Sequence, residues 1–222
     1  MIYLPIIGLL FILLLLLLPI LWFTVTLEVV QIAAVKLGFS PMVGGLMLVL
    51  VILGSTINIP LYKTESKVDL LEDWIFFHQR QYWGIPFHRV PQITIVALNV
   101  GGCVLPSLLA LYQFHQAPAG PILLVTAIVT IVSYYAAHIV PGIGIQMNPL
   151  LAPITAALSA IALGQPHTPA IAFAGGILGV LIGADLLHLK DIESMSSGIL
   201  SIGGAGVFDG ILLCGLFSVL LA

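Results

Sequence analysis

From Ile93 to Leu189 the chain carries a single formal charge, the carboxylate of Asp185, and neither Met1–Leu27 nor Pro41–Tyr62 carries any. A soluble chain of this size is about a quarter charged, so charge-free stretches this long have no soluble fold available to them. A membrane accommodates them: about 20 apolar residues wound as a helix cross the roughly 30 Å hydrocarbon core. Charged residues make up only 7% of the 222, against 60% hydrophobic ones. The fold class this implies is all-α, a polytopic transmembrane helix bundle, one domain over residues 1–222 with the lipid bilayer as its first partner. A net charge of −3 is too small to argue for a nucleic-acid partner or an acidic substrate. Cys103 and Cys214 each lie in an apolar run, which suits small helix-packing residues better than a disulfide or metal site. No cofactor is implied.

The apolar runs predict about seven spans. Leu4–Thr24 is the first; it is too long for a signal peptide and lacks both a basic start and a small-residue cleavage site, so it reads as retained. Glu28–Ser40 reads as a short interfacial connection. Ser40-Pro41 is a helix-start signal, a capping hydroxyl followed by proline at the first helical position, and the second span runs from there to Asn58-Ile59-Pro60. Lys63–Gln92 is the one polar region. Its apolar positions recur at helical spacing and its second half is crowded with Trp74, Phe76, Phe77, Tyr82, Trp83 and Phe87, so it reads as an amphipathic segment lying in the headgroup layer, or else as a docking surface for a partner. Ile93–Phe114 is the third span, interrupted by Asn99-Val100-Gly101-Gly102, and Pro121–Ile139 the fourth. After the Pro141–Pro149 break, the run to Leu163 gives only about 22 Å of helix, so the fifth segment is short or re-entrant. Pro169–Leu189 is the sixth, and a glycine-rich seventh reaches the C-terminus. No convincing internal repeat is visible.

Basic residues set the orientation. With seven spans and a cytoplasmic N-terminus, Lys63, Lys67, Arg80, Arg89 and Lys190 lie inside and only Lys36 outside, as the positive-inside rule requires. A re-entrant fifth segment would move Lys190 across and weaken the asymmetry.

Two ionisable residues stand within spans, where a charge costs several kcal/mol and marks a functional site by default. Asp185 lies in Ile182-Gly-Ala-Asp-Leu186, and Asp209 follows Ser201-Ile-Gly-Gly-Ala-Gly206. Consecutive helices are usually neighbours. If the connection between them runs from Lys190 to Gly204, because Gly198, Gly203, Gly204 and Gly206 make a poor helix start, both aspartates lie at the same depth. Ile199, Leu200 and Ile202 then form a membrane-dipping loop. Two level carboxyls in low dielectric share a proton and suit acid–base activation of water. Gly203, Gly204 and Gly206 would let a substrate backbone approach, or simply pack helices closely. Asn58 and Asn99 read as hydrogen-bonding across helices. His138 and His188 fall at span ends, as interfacial residues or, less readily, haem or metal ligands. The Pro141–Pro149 break could be the unwound centre of a transporter helix or plain loop.

The set Asn58-Ile-Pro60, Asn99-Val-Gly-Gly102, Pro141-Gly-Ile-Gly-Ile145, Ile182-Gly-Ala-Asp-Leu186 and Ser201-Ile-Gly-Gly-Ala-Gly206 with Phe208-Asp-Gly210 resembles an uncharacterised prokaryotic family of multi-pass membrane proteins, a domain of unknown function, over nearly the whole chain. That resemblance implies the inner (plasma) membrane of a prokaryote. A second, partial one is to the Gly-x-Gly-Asp intramembrane aspartyl proteases, in which Asp185 and Asp209 would take the two catalytic positions. Phe208 stands where that motif has its nearer glycine, and the Pro-Ala-Leu tripeptide of presenilin-like members is absent. Three functions stand as expectations: an intramembrane aspartyl-protease-like hydrolase acting on a membrane-protein substrate, a proton- or cation-coupled transporter, and a non-catalytic assembly partner.

Overall fold

A computed structural model describes residues 6–66, 92–140, 144–163, 166–189 and 198–222. The chain divides into two compact units, Met1–Leu50 and Val51–Ala222.

The first unit is dominated by α1, Ile6–Lys36, a single helix of 31 residues and so about 46 Å long. The expected connection from Glu28 is therefore helical as far as Lys36. Glu28, Gln31 and Lys36 are themselves good helix formers, and the helix stops only at Gly38, whose φ of 84° no ordinary side chain adopts readily. Then α2, Pro41–Gly54, begins at the proline, with the Ser40 hydroxyl accepting the Val43 N–H at 3.4 Å. This is the helix start that Ser40-Pro41 announces. A Cβ on Gly44 would come within 2.6 Å of the Ala34 Cβ, so glycine lets the two helices close up.

The second unit is a helix bundle with a small sheet at one end. Its elements are β1 (Asn58–Ser66), β2 (Gln92–Asn99), a π-helical turn (Val100–Val104) running into α3 (Leu105–Tyr112), α4 (Ala119–Ala136), β3 (His138–Val140), β4 (Gly144–Gln146), α5 (Leu151–Ala162), α6 (Thr168–Val180) with a π-helical continuation (Leu181–Leu186), β5 (Gly198–Ile202) and α7 (Ala205–Leu221). Helix α6 is central, packed against α3, α4, α5 and α7. Small residues make this closeness workable. Gly175 and Gly179 abut Val125 and Val129 of α4, and Gly176 abuts Cys214 of α7 and Ala156 of α5. Each methylene saved there lets backbones approach as they do where helices pack without a hydrophobic driving force.

Helices dominate, but the expectation of an all-α chain is corrected by the sheet. Strand β1 pairs antiparallel with β2 from Asn58↔Asn99 to Ser66↔Gln92. Strand β5 adds in parallel on the other side of β2, from Thr94↔Gly198 to Leu98↔Ile202, and β3 and β4 form a separate pair. The expected third span is thus strand up to Asn99 and helix only beyond it, because Ile93-Thr-Ile-Val96 is a β-branched run. The second span ends at Gly54, and the expected membrane-dipping loop is β5. The Pro141–Pro149 break follows β3 and contains β4, which pairs with β3, so strand pairing and not helix adjoins it. Lys63–Ser66 belong to β1; residues 67–91 of the amphipathic segment assigned to 63–92 lie outside the described residues. Among the described residues three helical stretches are long and apolar enough to cross a membrane, Leu10–Lys36, Ala119–Ala136 and Thr168–Leu186. The expected fifth segment is α5, only 12 residues.

Candidate functional site

Helix α7 begins at Ala205, where the glycine content of residues 198–206 puts it. The residues just before it build the site. Gly203 takes a φ of 70°, left-handed backbone that costs an L side chain about 1–2 kcal/mol. The turn aims its N–H at the carboxyl of Asp185, whose Oδ2 accepts it at 3.0 Å. Space enforces the same choice. A Cβ on Gly203 would stand 2.8 Å from both the Cβ and the N of Cys103. Gly204 closes the turn by donating to the Ser201 carbonyl at 2.9 Å.

Asp185 lies in the π-helical continuation of α6 and is buried. A π-helical stretch inserts a residue into a helix and re-aims the side chains beyond it, and such insertions recur at functional sites. Gly183, two residues earlier, fits against the Thr130 carbonyl and Ser133 of α4. The Cys103 thiol, hydrogen-bonded to Ser107, lies within the electrostatic field of Asp185.

The strand ends supply the remaining polar groups. Asn99, buried, caps the turn after β2: its Oδ1 accepts the Gly102 N–H at 2.7 Å. Its amide nitrogen donates to the Ser55 carbonyl at 2.7 Å and to Asn58 Oδ1 at 3.1 Å. The Ser201 hydroxyl donates to that same Asn58 oxygen. Nearby, Gly101 touches the backbone of Val51 and Ser55 so closely that any Cβ would overlap it. Segments 51–58, 99–103, 183–185 and 201–204, far apart in sequence, meet here.

Of the residues singled out from sequence, Asn58, Asn99, Asp185, Gly203 and Gly204 come together. Gly206 and Asp209 lie in the first turns of α7 by their backbone; the Asp209 side chain lies outside the described residues. The two histidines stand elsewhere. His138 is exposed on β3. His188 is buried, stacked on Tyr134 at 4.7 Å, with Nδ1 facing the Gly183 and Ala184 carbonyls at 3.1 and 3.2 Å. Two acceptors on one ring nitrogen put the proton there, and the side chain closes the helix end. Among the described residues no group of three or more His, Cys, Asp or Glu is placed to hold a metal.

Sequence reasoning missed Ser201 and the setting of Cys103. A signal for the first was available. Leu98-Asn99-Val100-Gly101-Gly102 and Leu200-Ser201-Ile202-Gly203-Gly204 are two versions of one strand-to-helix turn, and their strands lie side by side in parallel.

A family model described as a protein of unknown function (DUF1614) matches residues 52–221. No curated protein and no solved structure matches the chain.

Proposed function

We propose a function from the premise that the chain belongs to the DUF1614 family of proteins of unknown function: it is an intramembrane hydrolase of the aspartyl-protease kind, with Asp185 and Asp209 as its paired carboxyls. In this reading the chain crosses the inner membrane of a prokaryote about seven times, N-terminus inside. The observation that carries the proposal is the hydrogen bond from Gly203 to Asp185. It fastens the start of α7 to the first aspartate, and Asp209 lies four residues beyond Ala205, about 6 Å of helix rise. That arrangement supports a shared depth for the two groups. One carboxylate would take a proton from water as its oxygen attacks a peptide carbonyl, and the protonated partner would give its own to the leaving nitrogen.

The test replaces each aspartate by asparagine in the full chain, reconstituted with membrane-spanning peptides, and monitors their cleavage. Loss in both variants is the expected result; cleavage that survives both substitutions ends the reading. A second reading, proton-coupled transport, draws on the π-helical distortion that carries Asp185 within the apolar stretch Thr168–Leu186. It requires a proton flux in vesicles that Asp185→Asn abolishes. Cation binding fits less well, since the described partners of Asp185 Oδ2 and Asn58 Oδ1 are donors rather than oxygen ligands.

A further inference from the structure

The two Gly-Gly turns are alike in sequence but not in what they touch. In the sheet Leu98 pairs with Ile202 rather than with its counterpart Leu200, so the second turn is staggered along the first. The stagger brings Gly203 against Gly102 and Cys103 and its N–H onto Asp185. The parallel ladder of β2 and β5 ends at Leu98↔Ile202 and gives no backbone pairing beyond it, where Gly203 lies. Beside the packing of Gly203 on Gly102 and Cys103, and next to the paired Ala97↔Ser201, one side-chain atom links the two turns. Asn58 Oδ1 accepts the amide of Asn99, the polar residue of the first turn, and the hydroxyl of Ser201, the polar residue of the second. Asn58 is itself paired opposite Asn99 at the end of the β1–β2 ladder, so the sheet sets its backbone, and its exposed side chain is oriented by these two donors.

We propose that Asn58 and Ser201 are positioning residues that hold the Gly203 N–H on the Asp185 carboxyl, setting how far that carboxyl is available to react. Ser201 acts on Asp185 through Gly203, two residues on; Asn58 acts through Ser201 and, by way of Asn99 and Gly102, through the first turn. The inference goes beyond the hydrolytic reading and does not need it, since it concerns the reactivity of Asp185 without any substrate.

The experiment uses the full chain in phospholipid vesicles and dicyclohexylcarbodiimide, an apolar reagent for carboxyl groups in membranes, with modification of Asp185 tracked by peptide mass spectrometry. Asp185→Asn identifies the modified peptide. Ser201→Ala removes the donor to Asn58 and should raise the modification rate at least threefold. Ser201→Thr restores a hydroxyl on a strand that tolerates β-branching and should return the rate to within twofold of the wild type. Asn58→Leu should raise the rate as Ser201→Ala does, and the double variant should add nothing to the larger single effect, because both break one chain of contacts. Core variants such as Val219→Ala, matched for loss of thermal stability, should leave the rate unchanged. The proposal is overturned if Ser201→Ala reacts no faster than the wild type, if Ser201→Thr reacts as fast as Ser201→Ala, or if the core variants raise the rate equally. Should Asn58→Leu fail to fold, the two Ser201 variants still decide.

Discussion

Single residues at the junction differ sharply in how replaceable they are, and the glycines show it best. Gly203 combines a positive φ with a neighbour 2.8 Å from where a Cβ would be, and that neighbour includes the Cys103 backbone, which cannot swing away. Gly203→Ala should cost at least about 2 kcal/mol and detach the N–H from Asp185. Gly120, in the first turn of α4, has nothing within 4 Å of its Cβ position. Gly120→Ala should therefore be neutral or stabilising by up to about 1 kcal/mol. Thermal unfolding in detergent compares the two; equal effects would mean that the turn at Gly203 is not the constraint described. Sequence made several of these positions legible for a simple reason. An aspartate or asparagine in an apolar run is expensive and so conspicuous, which is how Asp185, Asn58 and Asn99 stood out. A serine in such a run is cheap and common, so Ser201 did not, although it donates into the same cluster.

At the scale of elements, β2 and β5 went unread because they are short apolar runs. Ile93–Leu98 and Ile199–Ile202 are too brief to carry a helical period, and an uninterrupted apolar run reads equally as buried helix or buried strand. Pairing between segments about 100 residues apart settles the matter, and no local pattern holds that information. Helix starts fared better, because Ser40-Pro41 and the Gly203–Ala205 transition are local chemistry. The π-helical stretch Leu181–Leu186 was also beyond sequence. It makes a specific prediction, since such a stretch amounts to one residue more than the α-helix requires. Deleting Ile182 should let the segment relax to α-helix with the residues beyond it in nearly their present register, keep the circular dichroism of the bundle, and preserve the Gly203 hydrogen bond with any activity that depends on Asp185. A deletion variant that folds but loses such activity would mean that the extra residue is itself required.

Over the whole molecule, the decisive quantity is the number of crossings. Among the described residues three helical stretches have the length and apolarity to cross a membrane, yet α2 and α5 are 14 and 12 residues long, about 21 and 18 Å. A short helix spans only if the bilayer thins or its neighbours carry it past the hydrocarbon edge. α5 packs against α4, α6 and α7, and its buried face is alanine and proline, Ala152, Pro153, Ala156, Ala157 and Ala160. That face commits it to the interior of the bundle. If it crosses fully, and α2 and the helical half of the third span cross with it, as the charge asymmetry of the connections favours, the number of crossings is odd and the two termini lie on opposite sides of the membrane. If it enters and returns, they lie on the same side. Reporter fusions at Met1 and Ala222 distinguish the cases directly: one cytoplasmic and one external signal is the expected outcome, with the cytoplasmic one at Met1. Two cytoplasmic signals would make α5 re-entrant, move Lys190 to the outer face, and bring the Asp185 end of α6 to the outer side with it. The carboxyl would then meet protons and substrates from the outer side instead of the cytoplasm.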